Sequence, residues 1–568
     1  MVRLHRALAR PFRYPVRWLA FLAGGVPAVL VFPGPGLSYL AWFALVPGMV
    51  LFARAATTRQ AIARGWWFGA GYLIAILQWM TPQIGPCVVL IGAIFGCLYS
   101  PFAVAVSRLL KPPVSMPRAL IALFVVPSCW LVPEWVRSYQ GLGGPWGLYG
   151  ASQWQHPAVL ALASAGGVWL VSVALLIANT GLTLLAGALR PAALTPPGSR
   201  VPAADSTKPA ERSAPRHRST MALAGVAAFA AAALAGPLAF ALTPPFPAVR
   251  QVTIALVQPG AVRDATQRVD ASEALTAEFG RTGALARVHP NLIVWGESSV
   301  ADDLSLDHAL LRRIETLSAQ DKAEILASQD AAIPGPNGGG QEKVAVLVGR
   351  DGIKGSYVKT RLVPFGEYIP FRQQFGWLTK ISKAAGSNMI PGTGARLLTV
   401  TTAGPRPLSI GVLICFESAF PDMSRVEAGL GAQLIVYQSS TSTFQGTWGP
   451  DQQGSLAALR AAETGRPVVQ AALTGDTVAF DARGRELAWL GQGSHAVVTV
   501  RLNLPAATGR TFYDEAGDYV MWTCVSITGL AALVTLGRRR GFLGHTAGIS
   551  GGPTAECDAD TGVPVRTK

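Results

Sequence analysis

Three side chains stand out for the chemistry they could do together. Cys415 ends the apolar run Ser409–Cys415 and is followed by Phe416-Glu417-Ser418. A residue at such a strand-to-helix turn is projected from a sheet edge toward a site. Cys415 is also the one cysteine of six outside the apolar segments and the tail, so it has no neighbour for a disulfide. An unpaired thiol is ordinarily a small buried hydrophobe; as a nucleophile it needs a base. The nearby histidines, His289, His308 and His495, form no Cys/His pattern, and HExxH and CxxC are missing, so the sequence predicts neither a metal site nor a cofactor. A carboxylate can be the base where its surroundings raise its pKa. Glu297 closes the run Leu-Ile-Val-Trp-Gly and is placed at a strand end. Lys359, at the end of Ser356–Lys359, could stabilise the oxyanion formed when a thiolate attacks a carbonyl.

These residues fall in a region that reads as an α/β domain, about Val249–Leu504. Short β-branched runs alternate there with helical stretches. Strands are predicted at Val252–Val257, Leu292–Trp295, Val344–Val348, Ser356–Lys359, Ser409–Cys415, Leu434–Tyr437 and Val468–Ala472, with a hairpin turn at Arg350-Asp351-Gly352. Helices are predicted at Asp270–Val288, Leu304–Gln320, Met423–Gly429 and Gln452–Thr464.

The rest of the chain is of a different kind. Of the 568 residues 50% are hydrophobic and 14% charged, about half the charged share of a soluble protein. Apolar runs near spanning length occur at Trp18–Phe32, Leu37–Phe52, Gly65–Met80, Cys87–Val106, Ala119–Val136, Val159–Leu185, Met221–Leu242 and Tyr519–Leu536. The net charge of +16 lies with them: Arg250–Asp518 holds 25 basic and 26 acidic residues, the remainder 23 and 6. A nucleic-acid binder would carry its basicity on the soluble module instead. Arginines and lysines cluster before the first run and after the second, fourth, sixth and eighth, while Pro33–Gly36 and Thr81–Pro86 have none. Eight spans with both termini cytoplasmic fit that alternation and put the α/β domain outside the cytoplasmic membrane. The expected organisation is a bundle of seven spans over 1–248 with a loose linker at 190–219, the α/β domain over 249–510, an eighth span over 511–540, and a flexible tail over 541–568.

Glu297, Lys359 and Cys415, in that order at spacings of 62 and 56, resemble the triad of the nitrilase or carbon–nitrogen hydrolase superfamily. Leu362–Pro370, with Glu367, resembles the signature of bacterial apolipoprotein N-acyltransferases. Ile414-Cys415-Phe416-Glu417 and Trp295-Gly296-Glu297 are similar to that family's nucleophile and base motifs. So are Glu134-Trp135-Val136-Arg137, Pro145-Trp146, Tyr149 and Gln153 to its segment before span six, and Arg460, Glu463, Gly465, Arg466 and Pro467 to a later one.

The resemblance implies an α-β-β-α sandwich and ping-pong acyl transfer without a cofactor. Glu297 would accept the thiol proton, Cys415 would take an acyl chain from a membrane phospholipid, and Lys359 would stabilise the oxyanion. The acceptor would be the α-amino group of an S-diacylglyceryl-cysteine on an apolipoprotein. Glu367 and Glu417 would orient Lys359 and shape the surroundings of Glu297. Phe416, Trp146, Phe444 and Trp448 would lie near substrate, and Phe371–Leu378 has the aromatic and basic mix of a membrane-surface lid. A monomer is expected, with no nucleic-acid partner.

The chain departs from the family pattern at Phe416 (commonly Tyr), Gln438–Trp448, Asp451 (commonly His) and Gln258-Pro259-Gly260, which bears on substrate contacts. The alternatives are a membrane-tethered amidase with the same triad and a catalytically altered membrane assembly protein; the intact triad argues against the second. A transporter would need buried charge within its spans, and only Glu134 and Arg137, at a span end, approach that.

Overall fold

A computed structural model describes residues 15–189, 213–260, 270–272, 276, 289–333, 339–376, 388–401 and 407–547. The predicted linker (apart from 213–219), most of the helix predicted at Asp270–Val288, the end of the Phe371–Leu378 segment and the tail beyond 547 lie outside the described residues.

The N-terminal half is helical: α1 Pro15–Val31, α2 Val46–Ala53, α3 Thr58–Leu77, α4 Cys87–Phe95, α5 Ser100–Leu109, α6 Met116–Arg137, α7 Ala163–Ala188 and α8 Ser213–Leu242. Among the described residues five helical stretches are long and apolar enough to cross a membrane: Cys87–Leu109, Met116–Arg137, Ala163–Ala188, Arg218–Leu242 and Tyr519–Gly537. Pro15–Val31 and Ser38–Ala53 are shorter apolar helices. The run predicted as one span at Leu37–Phe52 is a 3₁₀ turn, Ser38–Trp42, followed by α2, and the run at Cys87–Val106 is interrupted by a 3₁₀ turn at Gly96–Tyr99. Small residues let the helices touch backbone to backbone. A methyl group on Gly24 of α1 would strike the Phe68 carbonyl of α3, and one on Gly71 of α3 would strike the Phe21 carbonyl of α1.

Among the described residues the second half carries twelve strands in two six-stranded sheets. The first, in the order β12-β1-β2-β3-β4-β5, comprises β1 Ala248–Gln258, β2 Leu292–Val294, β3 Glu324–Ile333, β4 Gly340–Gly349, β5 Gly352–Val358 and β12 Ala496–Pro505. The second, in the order β11-β10-β9-β8-β7-β6, comprises β6 Leu397–Val400, β7 Leu408–Ile414, β8 Leu434–Ser439, β9 Val468–Ala472, β10 Thr477–Phe480 and β11 Glu486–Leu490. Each sheet has three parallel strands at its centre, β1-β2-β3 and β7-β8-β9, flanked by antiparallel ones. The predicted hairpin joins β4 to β5, with Gly349 opposite Gly352.

Both faces of β1 are buried, which explains its unbroken apolar run. Ile254 and Leu256 join Ile410, Val412, Val436 and Val469 of the other sheet in one core. Ala255 and Val257 instead pack with Leu310, Ile314 and Leu317 of α9, His308–Asp321. With α10, Pro421–Leu430, and α11, Gly449–Thr464, on the second sheet, the layers run α-β-β-α. The last helix, α12, is Tyr519–Ala547.

The sandwich is keyed to the bundle by polar anchors. Near its start α7 breaks at Gly166 and Gly167, the latter with φ +65. The break frees the Val168 N–H, which donates to Glu463 of α11 at 2.8 Å. Glu463 in turn accepts from Arg460 at 2.6 Å, both side chains being fully buried. Gln140 donates to the Leu362 carbonyl, and Gln83 to that of Thr443, each at 2.8 Å.

Candidate active site

The parallel strands of both sheets end on the same side, where the chain must leave the ladder and side chains can converge. Cys415 follows β7 directly and opens a 3₁₀ turn, Cys415–Ala419. Its φ is +52, a left-handed conformation that a non-glycine residue holds only when its surroundings enforce it. Glu417 Oε2 accepts from the Ile414 N–H at 2.7 Å on one side, and Ser418 Oγ donates to the Cys415 carbonyl at 2.8 Å on the other. Cys415 as a whole is half-buried.

Glu297 lies three residues past β2. Gly296 before it passes so close to Leu473 that a side chain would collide with the backbone there. Glu297 accepts from the Ser440 N–H at 3.1 Å and from Lys359 Nζ at 3.2 Å, and its charge acts on Cys415. Lys359, expected as the last strand residue, is the first after β5. It is fully buried, and its Nζ also donates to Glu367 Oε1 at 2.7 Å. Glu367 is fixed in turn by the Val363 N–H at 2.8 Å.

The electrostatics define the resting protonation. Burial alone would lower Lys359, but Glu297 and Glu367 hold it well above its ordinary value, so it is an ammonium. Burial likewise works against the Glu297 carboxylate, yet Lys359 and Lys343 hold its pKa below the ordinary carboxylate value. The expectation of a raised Glu297 pKa is therefore corrected: two cations outweigh burial. Burial, and then the Glu297 charge, push the Cys415 thiol up to about 12. The resting site holds a thiol, a carboxylate and an ammonium.

Glu417 acts differently from the expectation for it. It accepts from Tyr357 Oη at 2.9 Å, Thr360 N–H at 2.7 Å, Thr360 Oγ1 at 2.8 Å and Arg361 N–H at 3.0 Å. Together with its bond to Ile414, it ties the backbone beside Lys359 to the backbone beside Cys415, and it is hydrogen-bonded to neither functional group. Glu417→Ala would strand several buried donors and is expected to destabilise the α/β domain by about 3–5 kcal/mol. Denaturation of the detergent-solubilised protein checks this; a loss below about 1 kcal/mol contradicts the role.

Lys343, Gln453 and Trp79 also belong to the site and were not singled out from sequence. Lys343 Nζ lies 3.7 Å from Glu297 Oε1 and 3.0 Å from Asp330 Oδ1. It stands opposite Asp330 in the β3–β4 ladder, and a register signal was hidden because β3 was not predicted. Gln453 of α11 points its Nε2 at Cys415 Sγ, 3.5 Å away, while its Oε1 accepts from Ser439 Oγ at 2.8 Å.

An aromatic row connects the sulfur's neighbourhood to the bundle. Phe416 lies 6.5 Å from Trp146 between ring centroids, Trp146 is 5.1 Å from Trp79, and Trp79 is 4.9 Å from Phe444. Trp146 is held by Arg137, which donates to its carbonyl at 3.1 Å. Glu134 fixes the same loop by accepting from the Tyr149 N–H at 2.6 Å and from Trp130 Nε1 at 2.8 Å. Trp448 does not join the row; it packs on Gly34 just past α1. Phe371 is 76% exposed ahead of a short helix, Arg372–Phe375. Among the described residues no group of three or more His, Cys, Asp or Glu side chains is placed to hold a metal ion.

A thiol, a carboxylate and an ammonium at the convergent strand ends of two stacked sheets define a carbon–nitrogen hydrolase domain, here built onto a bundle of apolar helices. The carbon–nitrogen hydrolase family matches residues 253–509, and the apolipoprotein N-acyltransferase N-terminal domain matches residues 24–181. The chain belongs to the apolipoprotein N-acyltransferase family and is a membrane protein. It is 27% identical to the apolipoprotein N-acyltransferase of Geobacter metallireducens, over 93% of this chain and 96% of that one. It is 25% identical to that of Chlorobaculum tepidum, over 94% and 98%. A solved nitrilase-superfamily protein from Saccharomyces cerevisiae is 17% identical, covers 45% of this chain and 91% of its own, and superposes with a TM-score of 0.34.

Proposed function

We propose that this protein transfers an acyl chain from a membrane phospholipid, through a thioester on Cys415, to the α-amino group of the S-diacylglyceryl-cysteine that begins an apolipoprotein. The relatives that match nearly end to end are apolipoprotein N-acyltransferases, and the carrying observation is local. A half-buried cysteine that feels the Glu297 carboxylate and the Lys359 ammonium directly precedes Phe416, the first ring of an aromatic row that leads into the bundle.

In the first half-reaction Cys415 Sγ attacks the ester carbonyl carbon as its proton passes to Glu297. Lys359 Nζ offsets the negative charge developing on the carbonyl oxygen. The C–O bond then breaks, Glu297 returns the proton to the departing oxygen, and lysophospholipid leaves. In the second half-reaction the acceptor amine attacks the thioester carbon and yields a proton to Glu297. The C–S bond breaks and the thiol is restored. Glu367 holds Lys359 in place and Lys343 keeps Glu297 ionised.

A domain built onto membrane helices suits substrates whose chains stay in lipid. Extracting them would cost roughly 0.8 kcal/mol per buried CH₂. The same logic favours eight spans, cytoplasmic termini and a catalytic domain on the outer face of the bacterial cytoplasmic membrane, because basic residues mark alternate loops.

The test is sequential. Phospholipid alone should leave one hydroxylamine-labile acyl group on Cys415, detected by intact mass. Adding a diacylated lipopeptide should discharge it onto the peptide amine. Failure to form the adduct overturns the ping-pong order, and discharge to water in place of the peptide would indicate a hydrolase.

A further inference from the structure

The spanning part of α8 ends at Leu242, and immediately beyond it lies a cleft of about 270 Å³. Ala161, Ala165, Phe240, Phe246 and Phe512 contribute apolar walls, and Arg483 and Arg510 are among the other lining residues. The cleft is separate from the sulfur. Gln453 near one end of α11 touches Cys415, whereas Gly465, which caps the other end, lines the cleft. Twelve residues of helix set the two about 18 Å apart along the axis.

Cations outnumber anions around this cleft, where Arg466, Arg483, Arg485 and Arg510 face Asp481 and Asp514. Arg483 donates to the Phe240 and Thr243 carbonyls and stacks 3.4 Å from the Phe240 ring centroid. Arg485 lies 5.4 Å from the same ring. Arg510 donates to the carbonyls of Ala507, Gly509 and Gly429. Behind the Phe246 wall, Arg466 is fully buried with Nε and Nη1 unpartnered. Among the described residues none of these four has a carboxylate within 4 Å. Asp481, the acid beside them in the chain, spends its Oδ1 on the N–H groups of Arg483 and Arg485. Burial and then the neighbouring Arg485 both act against the charge on Arg483. Burial lowers Arg466 to about 10, with Asp514 acting against that shift and Arg510 adding to it.

An anion placed here would relieve that repulsion, and an apolar body attached to it would fill the rest of the cleft. Leu238 and Leu242, 58% and 70% exposed, continue the apolar surface down α8 into the spanning zone. We propose that the cleft binds the phosphate headgroup of an anionic membrane phospholipid, distinct from the acyl donor, with its acyl chains running down α8. Such a lipid would staple the end of α8 to the β10–β11 turn of the catalytic domain.

The test uses the full chain carrying Cys415→Ala, so that no lipid is consumed, in detergent micelles with a photoactivatable phosphatidylglycerol. Labelling of the peptide containing Phe240–Phe246 should exceed that by the matching phosphatidylcholine at least tenfold. Unlabelled phosphatidylglycerol should suppress it and glycerol phosphate should not. Arg483→Gln with Arg510→Gln should lower it about tenfold while labelling near Trp79 and Trp146 persists. Because those arginines also hold carbonyls, Ala161→Phe, which fills the cleft and leaves every arginine in place, must give the same loss. Equal labelling by phosphatidylcholine, displacement by glycerol phosphate, or full labelling of Ala161→Phe overturns the proposal.

Discussion

Replacing Cys415 by alanine is expected to eliminate the acyl-enzyme and to lower lipoprotein N-acylation by at least about 10⁴-fold. The charged groups beside the sulfur cannot take its place. Glu297 and Glu367 are engaged by Lys359, and Lys359 is held as an ammonium with no free lone pair. The substitution adds no backbone strain, since alanine meets the φ of +52 no worse than cysteine does. Thermal unfolding should therefore stay near that of the unsubstituted protein. Cys415→Ser separates nucleophilicity from geometry: it keeps a hydrogen-bonding atom beside Glu297 and Gln453 but offers a far weaker nucleophile, and it should be nearly as impaired. Intact mass after exposure to phospholipid decides the matter. A hydroxylamine-labile adduct on the alanine variant would place the acyl carrier elsewhere.

The legible parts of this molecule were those written in local sequence. Apolar runs of β-branched residues marked β1, β2, β4, β7, β8 and β9 because most of their residues are buried, whereas β5, Gly-Ile-Lys-Gly-Ser-Tyr-Val, is mostly half-buried or exposed and was marked only over its last residues. β3, Glu324–Ile333, escaped notice because alanine, serine and glutamine fill much of it. Losing β3 concealed Lys343, whose position opposite Asp330 exists only in the paired ladder. Gln453 was unreadable for a related reason: it reaches Cys415 from a helix 38 residues away, and nothing nearby in sequence distinguishes it from Gln452. Glu417 was read as a support of the triad from the family resemblance. In the turn its carboxylate instead faces backbone donors. Three of the four rings in the aromatic row were found, Trp146, Phe416 and Phe444, whereas Trp79 lies at a helix end and Trp448, also expected near substrate, packs on Gly34.

Glu297→Gln should produce a combination that a simple loss of folding could not. The Glu297 charge helps hold the thiol near 12, while Lys359 acts in the other direction. Removing the charge and keeping the amide should bring the thiol pKa down, so Cys415 should be alkylated by iodoacetamide at lower pH than in the unsubstituted protein. Acyl transfer should nevertheless fall by about 10²–10⁴-fold. The two results agree if Glu297 does more than ionise the thiol: the departing lysophospholipid oxygen needs a proton, and the glutamine has none to return. The pH dependence carries the same sign. Because Lys359 and Lys343 hold the Glu297 pKa low despite its burial, transfer by the unsubstituted protein should persist as pH falls toward the ordinary carboxylate range and fail only below it, when Glu297 is protonated. The glutamine variant should lack that acid limb, and its residual rate should rise with pH as thiolate forms. Lys343→Met should move the acid limb upward, since one of the two cations holding Glu297 ionised is gone. A glutamine variant whose thiol is harder to alkylate, or whose transfer keeps the acid limb, would mean that another group moves the proton.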